Sequence, residues 1–310
     1  MQFKLTEAAF EGFRLIRREP RTVAIWAVAS LVAGVALTAA MIGSGFGRFM
    51  GMSAQGTMTP EAIMGFLAGE AIAIGGSVMI ASIMGAAVYR AILRPAEAPL
   101  TRLRLGGDEL RLMGLSIIFA IVFTLLLIGM IIPVALLGAA VGLGSGMAQG
   151  GESEKGVAVM LLVSLLGYLL VFVALAFFAV RFSLAGVQTF AEGRLRVFDS
   201  WRLTKGRFWR LLGCYGLTVA LMAPLYMVMI VVYLATSFAF AGGDFGRAMS
   251  EISRPDMTSL GAYFNPARVV YLVLAGALGG VLNAVMYAPA AAIYRDIADK
   301  RPENQAEVFS

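Results

Sequence analysis

The sequence predicts an all-α polytopic membrane protein with six transmembrane helices arranged as three hairpins, and three observations support this fold class. Apolar residues make up 59% of the 310 positions and charged residues 14%, whereas soluble domains average roughly 45–50% and 25%. Six apolar stretches each reach the length of about 20 residues that crosses a bilayer. The 25 Lys and Arg residues fall mainly into clusters between these stretches.

The six predicted spans form a single integral membrane domain over residues 1–310. Their apolar runs are long and continuous, unlike the ~10-residue alternating segments of outer-membrane strands, so a helical bundle is favoured over a barrel. In chain order the predicted spans are residues 22–42, 71–92, 112–132, 157–181, 211–235 and 269–293.

The distribution of basic residues predicts the orientation of the chain. The N-terminal segment, the second and fourth loops and the C-terminal segment hold 20 of the Lys and Arg residues when Arg90 and Arg181, which end the spans before those two loops, are counted with them, and the other loops hold 5. By the positive-inside rule, both termini are expected in the cytoplasm. The segment before the first span has no continuous apolar core, so no cleavable signal peptide is predicted. A basic face beside anionic lipid explains the pI of 9.7 without a nucleic-acid partner.

The hairpins show signs of internal repetition. The returning spans end near Arg90, Arg181 and Arg295, and residues 107–114 match residues 206–213 at an offset of 99 positions. Duplication of a hairpin explains this pattern, and the alternative is that every span entering from the cytoplasm has basic flanks. We expect Arg181 and Arg295 to extend toward lipid phosphates.

Residues 190–212 predict a short amphipathic helix in the headgroup plane. Leu195, Phe198 and Trp201 recur at three-residue spacing, which forms one apolar stripe on a helix, with basic residues around it. The alternative is an ordinary cytoplasmic connector, and residues 100–112 are a weaker example of the same pattern. The candidate headgroup-binding residues are Arg194, Arg196, Trp201, Arg202, Lys205, Arg207, Trp209 and Arg210.

Helix starts and glycines mark the other loops. Thr59-Pro60 and Asn265-Pro266 each place a capping side chain before a proline at the first helical position. The glycine-rich residues 138–151 are compatible with a helix continuation, a loop or a re-entrant turn.

Glu70, Asn283 and Pro289 are the candidate residues for a cavity inside the bundle. Glu70 is alternatively an interfacial residue, because about 30 Å of helix separates it from the cytoplasmic end of its span. Asn283 is alternatively a donor to a neighbouring helix, with Gly276 and Gly280 permitting close approach. Pro289, like Pro133 and Pro224, is expected to kink or break its span.

The residue types argue against an enzyme. The chain has no His and a single Cys, so neither a His-ligated metal centre nor a histidine base is available. We expect Cys214 to pack as a small apolar residue in the fifth span. No catalytic residue, metal site or cofactor is predicted.

The run from Arg181 to Gly213 resembles a known family. Residues 200–213, SWRLTKGRFWRLLG, with residues 181–185 and 189–193 before them, are similar to a signature of bacterial six-helix proteins related to the membrane domain of glycerophosphodiester phosphodiesterases. The resemblance implies a bacterial inner-membrane protein. Two-domain relatives place catalysis in a soluble domain that has no counterpart here, so hydrolase activity is not implied.

Two functional hypotheses follow. The first is a non-enzymatic membrane protein that engages anionic lipid headgroups and organises lipids or a partner protein, with self-association as another use of its small-residue spacings. The alternative is a transporter or exporter of a small amphipathic or lipid-like solute, for which a mid-bilayer cavity containing Asn283 would be the distinguishing feature.

Overall fold

The structure is a computed structural model that describes residues 4–53, 59–97, 101–144 and 154–298. Every regular element in these ranges is a helix, as the fold class predicted. In chain order the helices are α1 (Leu5–Ala9), α2 (Glu11–Arg18), α3 (Pro20–Gly43), α4 (Phe46–Ser53), α5 (Pro60–Leu93), α6 (Gly107–Gly144), α7 (Glu154–Phe182), α8 (Ala185–Glu192), α9 (Asp199–Thr204), α10 (Phe208–Phe240), α11 (Phe245–Ser253), α12 (Leu260–Tyr263) and α13 (Pro266–Ala298).

Six of the described helices, α3, α5, α6, α7, α10 and α13, are long and apolar enough to cross a membrane. Each contains one predicted span in full. They run for 24 to 38 residues, which exceeds the roughly 20 needed to cross the hydrocarbon layer, so their ends extend beyond it. The prediction of six spans is confirmed.

Both predicted helix starts are present. The Thr59 side chain accepts a hydrogen bond from the Ala62 amide at 3.3 Å, and the Asn265 side chain accepts one from the Arg268 amide at 2.9 Å. Each cap satisfies one of the free amides of a first helical turn, and proline follows at the first helical position. The capping signals therefore locate the starts of α5 and α13 better than hydropathy does.

The short helices lie at the two ends of the bundle. One end, the basic face, comprises α1, α2, α8, α9, the link between α5 and α6, and the last turns of α13. The other end, the opposite face, comprises α4, α11 and α12. The basic face is tied together by side-chain bonds such as Arg102 to Glu19 and Tyr294 to Glu192.

Helix α13 is the axis of the bundle, because it packs against α2, α3, α5 and α10. A Cβ atom added at Gly280 would contact the Val23 carbonyl oxygen and lie 2.7 Å from the Ala27 amide nitrogen of α3. A Cβ atom at Gly276 would contact the Leu31 side chain. The predicted close approach of a neighbour at these two glycines is confirmed.

The packed core is concentrated toward the basic face. Fully buried side chains come from the end of α5, from α8 and from the end of α13, including Val88, Phe190 and Ile293, each 0% exposed. Along α6 and α7, by contrast, large apolar side chains such as Leu125 and Leu165 are exposed, as residues facing lipid tails are. Cys214 is buried in α10, which confirms its predicted packing role.

Two predicted interfacial helices are corrected by the structure. Residues 190–212 do not form one helix, because α8 ends at Glu192 and α9 begins at Asp199. Leu195 lies in the non-helical link, so Leu195, Phe198 and Trp201 do not form one helical stripe. Residues 101–106 are likewise not helical, and α6 begins directly after them at Gly107. Gly193, directly after α8, and Gly206, two residues after the end of α9, both have positive φ, a conformation that terminates helices.

The helices run without interruption through Pro133, Pro224 and Pro289, so none of these prolines breaks its span. Helix α6 continues to Gly144, which assigns the first part of the glycine-rich segment to helix. The rest of the prediction for residues 138–151 lies outside the described residues.

Candidate functional site

The basic face is built on buried ion pairs. Arg90, near the end of α5, and Glu109, in the first turn of α6, are each 1% exposed, and Arg90 Nη2 lies 2.6 Å from Glu109 Oε1. Arg90 also donates to the Arg102 carbonyl oxygen. Arg102, 6% exposed, pairs with Glu19 at 2.8 Å. Arg90, Glu109 and Arg102 are enclosed by protein, whereas Glu19 is partly exposed.

The backbone of Arg102 is held in an unusual conformation by these contacts. Its φ is 52°, a left-handed value that non-glycine residues rarely adopt. Next to it, the Trp26 indole nitrogen donates to the Thr101 carbonyl oxygen at 2.9 Å. The link between α5 and α6 is thus fixed to the first turns of α3 by one ion pair and one indole hydrogen bond.

A second buried carboxylate organises the terminal helices. Glu11 of α2 is 3% exposed and has three arginines within ion-pair distance. Arg14 lies at 3.2 Å, Arg18 at 3.7 Å and Arg295, at the end of α13, at 3.9 Å. Arg295 is therefore partly engaged within the protein, although lipid phosphate was its predicted partner.

The eight predicted headgroup residues divide into those engaged by the protein and those that are not. Arg196 pairs with Glu192 at 2.9 Å and with Asp199 at 2.7 Å. The hydrogen bond that Arg196 donates to Asp199, together with the negative charges of Glu192 and Asp199, raises the pKa of Arg196. Arg207 donates to the Leu203 carbonyl oxygen at 2.8 Å. Both residues serve mainly to hold the loop around α9.

Four of the predicted cations have no hydrogen bond or ion pair from their side chains to any described residue. We call them the open cations: Arg194, Arg202, Lys205 and Arg210. The first three are exposed and Arg210 is half-buried. A cation that the protein leaves unpaired at its surface is available to an external anion.

The anchoring of α9 explains why Arg202 is open. Ser200 and Thr204 are both 0% exposed, and their hydroxyls donate to the Arg181 carbonyl oxygen at 2.8 and 3.4 Å. Residues four apart share one face of a helix, so this face of α9 is fixed against the end of α7. Arg202 lies between them on the other side of the helix.

Exposed aromatic and aliphatic side chains accompany the open cations. Trp209 is 78% exposed, Phe198 67% and Leu195 50%. Leu105 and Leu110 on the neighbouring α5–α6 link and α6 are also exposed. Tryptophan and arginine side by side at a helix end are typical of the membrane–water interface. Trp201, by contrast, is half-buried and faces into the protein.

Arg181 was expected to extend toward lipid phosphates, but it occupies an aromatic cage that the sequence did not predict. Its guanidinium carbon lies 5.3 Å from the ring centroid of Phe177, 5.1 Å from that of Trp201 and 5.9 Å from that of Phe208. Two of its nitrogens, Nε and Nη1, are enclosed without a hydrogen-bond partner in the described residues. The aromatic faces, and not a carboxylate, compensate this charge.

The three candidate cavity residues are not brought together. Asn283 donates to the Gly279 carbonyl oxygen of its own helix at 2.8 Å and reaches Ser30 Oγ of α3 at 3.5 Å; the contact with Ser30 is the interhelical arrangement given above as its alternative. Pro289 is buried at the basic end of α13, whereas Glu70 is half-buried in the first third of α5. Among the described residues, no group of His, Cys, Asp and Glu side chains is placed to hold a metal ion.

Six long apolar helices, with short helices at both ends of the bundle, define a helical integral membrane protein. Compared with protein-family models, curated proteins and solved structures, the chain matches none. The resemblance to membrane domains of glycerophosphodiester phosphodiesterases therefore stays a prediction from residues 181–213.

Proposed function

We propose that this protein is a non-enzymatic component of the bacterial inner membrane that engages anionic phospholipid headgroups through its basic face, and that it organises those lipids or a partner protein. The observation that carries the proposal is the group of open cations, Arg194, Arg202, Lys205 and Arg210, beside the exposed Trp209. The function depends on binding alone, so no catalytic group is required.

The physical basis is electrostatic attraction combined with interfacial anchoring. Each Lys or Arg near an anionic membrane surface contributes about 1 kcal/mol. The Trp209 and Phe198 side chains supply the apolar contact that places these charges at headgroup depth. Arg196 and Arg207 belong to the same segment, but they bond to the protein itself and contribute less to lipid binding.

The proposal requires the basic face to lie in the cytoplasm, where the 20-to-5 division of basic residues predicts it. The only native cysteine, Cys214, is buried, so a single introduced cysteine reports its own location. We expect Lys205→Cys to resist a membrane-impermeant maleimide in intact cells, and Arg48→Cys on the opposite face to react. The reverse pattern would contradict the orientation.

Lipid binding is tested by native mass spectrometry of the protein released from nanodiscs containing equal amounts of phosphatidylglycerol and phosphatidylcholine. We expect wild-type protein to retain phosphatidylglycerol preferentially. The triple variant Arg202→Gln, Lys205→Gln and Arg210→Gln is expected to lose roughly 100-fold in that preference at low salt, from about 1 kcal/mol per cation.

The matched control is Arg196→Gln, which removes one cation of the same segment that already pairs with Glu192 and Asp199. Because Arg196 contributes less to lipid binding than the open cations, the lipid preference of this variant is expected to fall by much less than that of the triple variant. Unchanged lipid preference in the triple variant would contradict the proposal, provided that Arg48→Cys placed in the triple variant still reacts with the maleimide and so shows native insertion.

The alternative of solute transport depended on a cavity around Asn283. The Asn283 side chain bonds to Gly279 of its own helix and to Ser30 of α3, so these contacts favour a packing role over a substrate site. We therefore propose lipid engagement.

A further inference from the structure

The opposite face contains a cavity of about 490 Å³ between the end of α10, α11, α12 and the start of α13. A volume in this range suits a small organic ligand. The residues of interest in its lining are Phe240, Glu251, Arg254, Asp256, Asn265 and Arg268. None of them belongs to the basic face, so the argument is independent of the proposed function.

Arg268 is the principal group in this cavity. It is 5% exposed, and its Nη2 donates to the Tyr233 hydroxyl at 3.0 Å and to the Glu251 carbonyl oxygen at 3.1 Å. The guanidinium stacks on Tyr263, 4.4 Å from the ring centroid. Its Nε and Nη1 make no hydrogen bond to a described residue, and no described carboxylate lies within ion-pair distance. A buried arginine without a counter-charge is costly unless an anion is supplied.

Two further positive features surround the same cavity. Arg254 is exposed and its side chain has no bond to any described residue. Helix α13, 33 residues long, begins at the cavity with Pro266. The positive end of a helix dipole attracts anions, and this adds to the two guanidinium charges.

The two carboxylates in the lining are already engaged. Glu251 accepts a hydrogen bond from Arg247 Nε at 3.3 Å. Asp256 accepts hydrogen bonds from the Thr258 amide at 2.9 Å and hydroxyl at 2.6 Å. Their charges are thus partly compensated from outside the cavity, whereas neither Arg254 nor Arg268 has a carboxylate partner among the described residues.

The cavity also has an apolar edge. Phe240, the last residue of α10, lines it and is 58% exposed. Because α10 is a membrane-spanning helix, Phe240 connects the cavity to the lipid-facing surface. A ligand with a charged group at Arg268 and an apolar part along Phe240 fits this arrangement.

We infer that this cavity binds the phosphate group of a phosphate ester, held by Arg268 and Arg254 at the start of α13. Guanidinium groups match phosphate oxygens in charge and in bidentate geometry. The same chemistry is presented by a phospholipid headgroup and by a soluble phosphate ester. The apolar edge at Phe240 favours the lipid.

The test is native mass spectrometry of the full-length protein in detergent, titrated separately with phosphatidylethanolamine and with sn-glycerol 3-phosphate. We expect wild-type protein to bind one of these two compounds. Arg254→Gln and Arg268→Gln are each expected to bind that compound with at least tenfold lower affinity. Arg48→Gln is the control, because Arg48 is an exposed arginine of the same face in α4 and lies outside the cavity lining.

Arg254→Gln keeps the test valid if the buried Arg268→Gln variant does not fold. Binding of phosphatidylethanolamine alone would identify the lipid as the source of the phosphate, and binding of glycerol 3-phosphate would identify a soluble ester. Binding of neither compound would overturn the inference, and so would equal affinity in wild type and Arg254→Gln.

Discussion

Arg90 and Glu109 form an ion pair of 2.6 Å at positions that are each 1% exposed. The pair joins the end of α5 to the first turn of α6 and lies over the ring of Phe190, whose centroid is 5.6 Å from the Arg90 guanidinium carbon. In such an enclosed place each charge depends on the other, because water does not compensate a charge left alone.

The first prediction concerns this pair. Arg90→Met or Glu109→Met alone is expected to lower the free energy of unfolding by about 3–5 kcal/mol, since each leaves an unpaired buried charge. The double variant is expected to cost far less than the sum of the two. Denaturant titration of the protein in micelles measures this double-mutant cycle.

Lys4→Ala is the control for the first prediction, because Lys4 pairs with Glu7 at 2.9 Å with both side chains mostly exposed. We expect no measurable change in its unfolding midpoint. Strict additivity of the Arg90 and Glu109 substitutions would show that the two residues do not act as a pair.

Hydropathy and charge predicted the six spans and placed Arg90 at the end of the second, but they did not predict that Arg90 is buried. The reason is that span positions depend on local composition, whereas burial of Arg90 depends on Glu109, on the far side of a loop. Pairing of charges across a loop is not encoded in a hydropathy window. The local capping signals at Thr59 and Asn265 were predictive because a cap bonds to its own first turn.

The second prediction concerns the contact of α3 with α13 at Gly280. Gly280→Ala is expected to destabilise the protein by about 1–3 kcal/mol, because the new Cβ atom would meet backbone atoms of Val23 and Ala27. The measurement is the unfolding midpoint in micelles.

Gly34→Ala in α3 is the matched control, because nothing lies within 4 Å of a Cβ atom there. Alanine is the better helix former, so this variant is expected to be as stable as wild type or more stable. Equal stability of Gly280→Ala and wild type would contradict the close helix approach.

The third prediction concerns Asn283. If its role is the hydrogen bond to Ser30 of α3 at 3.5 Å, Asn283→Ala should cost about 0.6 kcal/mol, the average for such bonds in membrane proteins. Once Asn283→Ala has removed this bond, adding Ser30→Ala should cause no further loss of hydrogen-bond energy. Full additivity of the two substitutions in unfolding experiments would show that the bond contributes nothing.

The fourth prediction concerns the pH dependence of Asp256. Hydrogen bonds from the Thr258 hydroxyl and amide hold the pKa of this carboxyl below its ordinary value of 3.8. These hydrogen bonds therefore stabilise the folded protein above pH 3.8. Their contribution is lost as the pH falls through the lower pKa that Asp256 has in the folded state.

Carboxyl-detected NMR titration of selectively labelled Asp measures the pKa of Asp256. In Thr258→Val the hydroxyl donor is gone, and we expect the pKa to rise toward the ordinary value. The same pKa in wild type and Thr258→Val would show that the hydroxyl does not stabilise the carboxylate.

The sequence assigned one role to eight residues between 194 and 210, and the structure separates them. Arg196 and Arg202 are both basic residues near aromatic ones, yet Arg196 has two carboxylate partners and Arg202 has none among the described residues. The difference arises from the break between α8 and α9, which turns Arg196 back toward Glu192. A composition pattern identifies the basic segment but does not specify this turn.

The fifth prediction concerns Arg181 and Trp201. Arg181 has no carboxylate partner in the described residues, and the Trp201 ring lies 5.1 Å from its guanidinium carbon. Trp201→Leu keeps an apolar side chain but removes the aromatic face, so the pair should lose about 1–2 kcal/mol of cation–π attraction. A double-mutant cycle of Trp201→Leu with Arg181→Met isolates that coupling from the lost packing.

We expect Phe208→Leu to couple to Arg181→Met more weakly, because the ring of Phe208 is farther away, at 5.9 Å. A coupling energy of zero for Trp201 would contradict the role of the cage in holding this charge.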